Sequence, residues 1–148
     1  NCTSSIKVAN YYQHCFNHNV HGVQTVAEAL PNSCNTFFIT MGQRMGKQTF
    51  SKYFEAFGFT EATGIDLPSE AVPVAGKTYY PVDKMGIAEL SSASFGQTFQ
   101  TTPIQMIAAV ASLGNGGKLM TPYVVKQVLD ENGNIISETK PTVKRQVI

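Results

Sequence analysis

The pattern of apolar and polar positions changes several times along the chain. After a polar, irregular segment at residues 1–22, apolar residues from Val23 to Leu30 recur at helical spacing and predict a short helix that ends before Pro31. A second helix is predicted with Asn32 or Ser33 as its N-cap. A third carries aromatic residues at helical spacing and ends at Gly58. The spacing therefore predicts a mainly helical region at residues 23–121.

Residues 58–101 interrupt this region, because glycine, proline and polar residues replace the helical periodicity, and they predict a long loop with short helical pieces. Loops of this length in compact domains are usually functional, so we expect the segment to lie along a site. Order returns at Thr102, which together with Pro103 and Gln105 predicts a capped helix start. The helix that follows is apolar on nearly every side through Leu113, and such a helix is expected in the interior of a domain.

The residue pattern of the C-terminal part of the chain predicts β-strands. A strand from Tyr123 to Leu129, an Asn132-Gly133 turn and a return strand through Ile136 predict a β-hairpin within residues 122–136. Residues 137–148 are polar and are predicted to form a loose tail. Because helices are followed by a hairpin, the predicted fold class is α+β. The chain is predicted to form a single partial domain.

Composition and charge narrow the function classes. The chain has 148 residues, 43% of them hydrophobic, which is enough for one domain with a core. Its net charge is +1 with scattered lysines and arginines, so no nucleic-acid partner is expected. The longest apolar stretch, residues 106–113, is too short to cross a bilayer. The chain begins at Asn1, as expected for a piece of a longer protein.

The three cysteines offer two alternatives. Cys2 and Cys15 are close in sequence and form a candidate disulfide that would leave Cys34 free. Alternatively, Cys15-x-x-His18-x-x-His21 with Cys2 supplies donors that suit zinc, but this spacing is not a standard ligand pattern. We therefore expect no metal and no cofactor, with a non-enzymatic zinc or thiol interaction domain kept as an alternative.

The sequence Ser33-Cys34-Asn35 is the strongest candidate for chemistry. It lies at the predicted mouth of a helix, where a hydroxyl and an amide two positions apart can line one wall of a cleft. A hydroxyl both donates and accepts hydrogen bonds, as a proton relay must. The simpler interpretation is that Ser33 is only an N-cap, which contributes about 1 kcal/mol.

Several segments in order resemble the class B penicillin-binding proteins, and most closely the Gram-positive division and sporulation group such as stage V sporulation protein D. The matching segments are His21-Gly22, residues 28–30, Ser33-Cys34-Asn35, Phe57-Gly58-Phe59, residues 63–70, residues 93–97, residues 102–106 and Asn115-Gly116-Gly117. The resemblance implies a penicillin-binding-protein/serine β-lactamase-like transpeptidase fold, of which this chain would be the mainly helical central part.

The resemblance also implies an activity and a site. The parent protein would cross-link peptidoglycan stem peptides by serine acyl transfer, bind β-lactams, and act outside the cytoplasmic membrane to which it is anchored. Ser33 would relay a proton and Asn35 would hold a polar group, so both are predicted catalytic residues. Gly96 and Gln97 would lie near the cleft rim and contact substrate.

Two motifs of the family, Ser-x-x-Lys and Lys-Thr-Gly, have no convincing match in this sequence. Ser4-Ser5-Ile6-Lys7 and Ser137-Glu138-Thr139-Lys140 spell Ser-x-x-Lys, but neither opens a long apolar helix. Lys77-Thr78 is followed by Tyr79 where the family's strand has glycine. We therefore predict that this chain alone is inactive and that its exposed apolar surface favours self-association. A β-lactam sensor or a β-lactamase relative stays open as an alternative.

Overall fold

The computed structural model describes residues 1–148 and has an α+β fold, as predicted. Two strands, four α-helices and four further strands follow one another along the chain, and the strands form three two-stranded antiparallel sheets. The helices are α1 (Val26–Ala29), α2 (Asn35–Ala56), α3 (Ile87–Ser94) and α4 (Pro103–Gly114). The strands are β1 (Ser5–Val8), β2 (Tyr11–His14), β3 (Lys118–Thr121), β4 (Gln127–Leu129), β5 (Ile135–Glu138) and β6 (Thr142–Gln146). None of the helices combines the length and the apolar character needed to cross a membrane.

The chain divides into two compact units. The first comprises Asn1–Lys52 and Ala75–Phe99, and the second comprises Tyr53–Val74 and Gln100–Ile148. Helix α2 begins in the first unit and ends in the second. Because Ser33, Asn35, Gly96 and Gln97 all lie in the first unit, that unit carries every predicted catalytic and substrate-binding residue.

The segment 1–22 is ordered, which corrects the prediction that it is irregular. Strands β1 and β2 pair in a tight hairpin, with Ser5 opposite His14 and Val8 opposite Tyr11. Cys2 then pairs with Gly22 through two backbone hydrogen bonds of 2.7 and 3.0 Å. Each strand is only four residues long, so alternation gave too little signal for a sequence prediction.

The first helix is shorter than predicted, and the second has a different start. α1 begins after Thr25, whose hydroxyl and backbone form a capping box with Glu28. The predicted break at Pro31 is confirmed. Ser33 is not the N-cap of α2, because the helix starts at Asn35 and Ser33 has a left-handed φ of 46°. The two predicted helices 35–56 form one element with a kink at Gly46, where φ is 77°.

Residues 58–101 contain the eight-residue helix α3, so one of the short helical pieces expected in this loop is a buried helix. Leu90, Ser91, Ser92 and Ala93 are buried, and Gln43 of α2 donates a hydrogen bond of 3.0 Å to Ser91. Helix α3 has no apolar periodicity, because two of its buried residues are serines, and its position was therefore not predicted. The helix therefore belongs to the packed part of the first unit.

In the second unit, the predicted ends of two helices are confirmed. Thr102 and Gln105 form the capping box at the start of α4. Gly58 and Phe59 donate to the carbonyls of Glu55 and Phe54, which is the Schellman pattern, and the Phe54 and Phe59 rings pack 5.0 Å apart. Gln105 then serves a second purpose, since its buried side-chain amide donates to the carbonyls of Gly58 and Glu61.

The C-terminal region has more strand than the sequence predicted. β4 and β5 form the expected hairpin around Gly133, although β4 begins at Gln127 and not at Tyr123, and β5 extends to Glu138. The tail 137–148 is not loose, because β6 pairs with β3 from Thr121–Thr142 to Lys118–Gln146. Lys144 and Arg145 of β6 both form ion pairs with Glu61. Because Lys144 and Arg145 are charged, the sequence of this segment is polar and predicted a loose tail.

Candidate functional site

Ser33 lies in an exposed turn between α1 and α2. Its backbone amide donates to the Leu30 carbonyl at 3.0 Å, and its φ of 46° is in the left-handed region that few non-glycine residues occupy. The hydroxyl has no hydrogen-bond partner within this chain. Backbone strain of this kind is found preferentially at functional sites, and here the strained residue carries an exposed hydroxyl without a partner.

Asn35 is the first residue of α2 and is tied to the N-terminal hairpin. Its side-chain nitrogen donates to the His14 carbonyl at 2.8 Å. Because a carbonyl only accepts, the amide nitrogen must point at His14 and the amide oxygen is left to accept from another group. The orientation of the Asn35 side chain is therefore set by the backbone at the end of β2.

Cys34, between these two residues, is completely buried. Its backbone amide donates to the Ala29 carbonyl, and its own carbonyl accepts from Phe38 in the first turn of α2. Its side chain packs with Cys2, Cys15 and Ala29, and Phe37 covers this group. Burial of Cys34 turns the flanking residues outward, which explains why Ser33 is exposed.

Four side chains converge beneath the Ser33 turn in what we call the cysteine cluster: Cys2, Cys15, His21 and Cys34. Their sulfur atoms and the imidazole nitrogen all lie within 4.8 Å of one another. The sulfur of Cys15 is 3.6 Å from that of Cys2 and 3.8 Å from that of Cys34. The Cys2 sulfur is 3.4 Å from Nδ1 of His21. All three cysteines are free thiols, so the predicted Cys2–Cys15 disulfide is not formed in this structure.

The thiols of the cluster differ in acidity. Burial alone would raise the pKa of Cys2, but hydrogen bonds from the Thr36 side chain and from the backbone of His21 and Ser4 outweigh it and lower the pKa to about 5. Burial raises the pKa of Cys15 above its usual value. The pKa values of Cys2 and Cys15 are thus shifted in opposite directions.

The sequence anticipated only part of the cysteine cluster. The zinc alternative named Cys2, Cys15, His18 and His21, whereas the structure has Cys34 in place of His18. A partial signal was available, because a β-hairpin at residues 5–14 would bring Cys2 and Cys15 to the same end. The contribution of Cys34 depends on the fold of residues 25–35 and could not be obtained from spacing.

Gly96 and Gln97 form the end of helix α3. The Gly96 amide donates to Ala93 and the Gln97 amide donates to Ser92, which is again the Schellman pattern, and φ of Gly96 is 91°. Glycine is therefore required here by helix termination alone. The Gln97 side chain is exposed, and no hydrogen bond connects either residue with Ser33 or Asn35. Their contact with substrate stays a prediction.

The two Ser-x-x-Lys sequences lie on strands. Residues 5–7 belong to β1, and Ser137 belongs to β5. In neither case does the serine open a helix, so the lysine is not placed one helical turn beyond the serine. A cavity of about 210 Å³ lies in the first unit and is lined by Asn1, Cys2, Gln24, Thr36, Phe37, Thr40, Met41 and Arg44. Neither Ser33 nor Asn35 lines that cavity.

Comparison with known proteins identifies the class. Residues 3–148 match the family described as the penicillin binding protein transpeptidase domain. The chain therefore belongs to the penicillin-binding protein transpeptidase family, as the order of its motifs predicted.

Among individual relatives, the chain is 39% identical over 135 residues to stage V sporulation protein D of Bacillus subtilis, covering 90% of this chain and 20% of that protein. It is 32% identical over 111 residues to the peptidoglycan D,D-transpeptidase MrdA of Acinetobacter baumannii, covering 72% of this chain and 16% of that protein. The chain thus spans about a fifth or less of the length of these relatives.

Solved structures of related proteins have the same fold as this chain. The penicillin G acyl-enzyme complex of penicillin-binding protein A from M. tuberculosis superimposes with a TM-score of 0.82 at 26% identity, covering 99% of this chain and 34% of that one. The D,D-transpeptidase domain of a peptidoglycan glycosyltransferase from Eggerthella lenta gives a TM-score of 0.81 at 25% identity, covering all of this chain and 38% of that one. The predicted transpeptidase-like fold is confirmed.

Proposed function

We propose that this chain is the central part of a peptidoglycan D,D-transpeptidase that cross-links stem peptides by serine acyl transfer outside the cytoplasmic membrane. The observation that carries the proposal is the exposed, unpartnered Ser33 hydroxyl held in a left-handed turn beside Asn35. The family supports it, and relatives are named as D,D-transpeptidases. The location follows from the substrate, because peptidoglycan is assembled outside that membrane.

In this proposal Ser33 moves a proton and does not attack the substrate. A nucleophile from another part of the domain forms the acyl-enzyme, and the Ser33 hydroxyl passes a proton toward the leaving nitrogen. A relay must accept one proton while it donates another, which requires a hydroxyl with no competing bond. Ser33 meets this condition within the chain.

Asn35 positions a polar group through its free amide oxygen. Because the amide nitrogen is bound to the His14 carbonyl, the oxygen is available to accept from a substrate amide or a lysine ammonium. Gln97 is assigned a weaker, peripheral contact with the substrate. β-Lactams, which resemble the acyl donor, would bind in the same cleft.

The 148-residue chain alone is expected to be inactive toward β-lactams. Neither Ser4 nor Ser137 starts a helix that would place a lysine beside it, so no serine is activated to attack. Intact-mass measurement after incubation with penicillin should show the unmodified chain. A stoichiometric adduct on any serine would contradict this expectation.

The role of Ser33 is tested in the intact protein with the variant Ser33→Ala. Loss of a proton relay should slow acylation by a fluorescent penicillin by about 10²–10⁴-fold. Ser69→Ala is the matched control, because Ser69 is also exposed and also has a left-handed φ, of 62°. Its rate should stay within about twofold of wild type, since proton transfer is not involved.

Three outcomes of that experiment would change the proposal. An unchanged acylation rate in Ser33→Ala would remove the relay role. An equal loss in Ser69→Ala would indicate a general effect on folding. Rapid release of hydrolysed penicillin by the intact wild-type protein would favour a β-lactamase over a transpeptidase.

A further inference from the structure

We propose that the cysteine cluster is a zinc-binding site with four protein ligands, namely the thiolates of Cys2, Cys15 and Cys34 and Nδ1 of His21. Nothing in the acyl-transfer chemistry proposed above uses these side chains. They come from three separate segments, the start of the chain, the end of the β1–β2 hairpin with the turn after it, and the mouth of α2.

The distances fit a tetrahedral zinc ion. Zinc–sulfur bonds of about 2.3 Å and zinc–nitrogen bonds of about 2.0–2.1 Å at tetrahedral angles place two sulfurs about 3.8 Å apart and a sulfur and a nitrogen about 3.6 Å apart. The Cys2–Cys15 and Cys15–Cys34 sulfur pairs are separated by 3.6 and 3.8 Å. The Cys2 sulfur and His21 Nδ1 are separated by 3.4 Å. Three of the six separations between ligand atoms thus already match a bound tetrahedron, and all six are within 4.8 Å.

The backbone fixes each cysteine before any ion binds. Cys2 is held by its two hydrogen bonds to Gly22, the residue after His21. The Cys15 amide donates to the Ser4 carbonyl at 2.8 Å, and the Cys34 amide donates to Ala29 at 3.1 Å. Ligands held in this way lose little conformational freedom when the metal binds. This arrangement distinguishes the cluster from cysteines that meet by chance in a core.

The donor set selects the metal. Three soft sulfurs and one imidazole suit zinc, whereas magnesium and calcium require oxygen ligands. Cys₃His is a known donor set of structural zinc sites, in which four protein ligands leave no open position for water. Cys2, Cys15 and Cys34 are each at most 3% exposed, which matches a closed structural site.

Thr36 provides an outer contact to the site. Its hydroxyl lies 3.4 Å from the sulfur of Cys34 and 3.9 Å from that of Cys15, and it is itself buried. A hydroxyl at this position can donate to a metal-bound thiolate and stabilise its charge. Outer contacts of this kind typically change metal affinity by about 10–100-fold.

The consequence of metal binding reaches Ser33 and Asn35, because Cys34 lies between them. A zinc–sulfur bond at Cys34 would fix the turn from below while leaving the two flanking side chains exposed. The ion would be structural and would take no part in the acyl transfer. This positioning role rests on the proposed function, whereas the zinc site itself does not.

Zinc binding is tested first in the wild-type intact protein, reduced and freed of metal. After addition of zinc and removal of the excess by gel filtration, elemental analysis should give one zinc per chain. With Co²⁺ in place of zinc, the absorption spectrum should show thiolate-to-cobalt charge transfer and the intense d–d bands of a tetrahedral ion. These two measurements need no variant, so they remain decisive if a substitution impairs folding.

Variants then identify the ligands. Cys34→Ser and His21→Asn should weaken zinc binding in a competition with a chromogenic chelator by more than about 100-fold, beyond the range of outer contacts. Thr36→Val should weaken it by about tenfold. His18→Asn is the matched control, because His18 is exposed, lies in the same turn and is not among the four ligands. It should bind zinc as wild type does.

Several results would overturn the proposal. Absence of stoichiometric zinc in reduced, zinc-supplemented protein would reject the site. A stable disulfide within the cluster in protein that never binds metal would assign these residues to redox chemistry. Loss of zinc in His18→Asn but not in His21→Asn would return the ligand set to the Cys15-x-x-His18 spacing. Zinc bound with unchanged penicillin acylation after metal removal would keep the site and reject only its effect on Ser33.

Discussion

Glu70 is the residue that closes the turn at 63–70. Its carboxylate accepts hydrogen bonds of 2.6 Å from both the amide and the hydroxyl of Thr63 and one of 3.0 Å from the Gly64 amide. Burial alone would raise the pKa of Glu70, but these bonds and the charge of Lys144 lower it. One ionised side chain therefore holds a segment that has no regular secondary structure.

Replacing this residue should change stability in a pH-dependent way. Because folding lowers the pKa of Glu70, its contribution is present above the ordinary carboxyl pKa and is lost as the pH falls through the lower folded value. Glu70→Gln should therefore reduce the free energy of unfolding at pH 7 by about 1–2 kcal/mol, a value reduced for solvent screening. Urea unfolding at neutral and acid pH measures the difference.

The control for this prediction is Glu131→Gln, because Glu131 is exposed in the β4–β5 turn and has no hydrogen-bonded partner in the structure. Its stability should follow that of wild type at both pH values. A Glu70→Gln deficit that is as large at acid pH as at pH 7 would show that the effect is not due to the carboxylate charge.

At the residue scale, the identities of Ser33 and Asn35 as candidate residues followed from the sequence, but their environments did not. The bond from Asn35 to His14 depends on a hairpin that the sequence did not predict, and the left-handed φ of Ser33 had no signal in the sequence. His21 and Cys34 are 13 residues apart, and only the folded chain brings them together. Ligand spacing in the sequence can reveal a metal site on one element, but it cannot reveal a site whose ligands come from three separate segments.

Among the elements, α2 and α3 approach each other very closely. A methyl group added at Gly42 would lie 2.6 Å from Cβ of Ser94, a separation that side chains do not tolerate. Ser94 is in turn bound to the Leu90 carbonyl at 2.7 Å, so it cannot easily move away. Glycine at position 42 is therefore a packing requirement and not only a weak point in the helix.

The variant Gly42→Ala should destabilise the protein even though alanine is the better helix former. The overlap with Ser94 forces a shift that costs about 1–3 kcal/mol, more than the helix propensity gained. Gly114→Ala is the control, because nothing lies within 4 Å of a methyl group there. Thermal unfolding should show a lower Tm for Gly42→Ala only, and an unchanged Tm would contradict the packing argument.

Elements with a strong local signal were predictable, and those without one were not. The caps of α4 and the end of α2 have residues that satisfy specific backbone groups, and these predictions were confirmed. Helix α3 buries serines, and β6 alternates no apolar residues, so neither gave a periodic pattern. Their existence depends on partners far away in sequence.

For the whole molecule, the main feature is apolar surface that remains uncovered. Ile107, Val110 and Leu113 lie at spacings of three along α4, and each is about 60% exposed. The sequence predicted that this helix would be buried, and in this chain one face of it is not. Contiguous apolar surface of this kind favours association.

We therefore expect the isolated chain to self-associate through this face of α4. Light scattering should give a mass above the 16.1 kDa of the monomer. Val110→Lys should restore the monomer, because a charge there cannot be buried cheaply. The control Val124→Lys, at another valine about 60% exposed, should leave association unchanged. A wild-type chain that is monomeric at high concentration would contradict the prediction.

The burial of Cys34 limits which substitutions the Ser-x-Asn motif of this chain can accept. A Ser-x-Asn pattern suggests that the middle residue is free to vary, yet here its side chain is fully buried and contacts the sulfur of Cys15. Randomising that codon would therefore return few folded proteins, and those would carry small side chains. A survey of active variants of this stretch should therefore find position 34 as constrained as the two positions beside it, in its case by packing and not by chemistry.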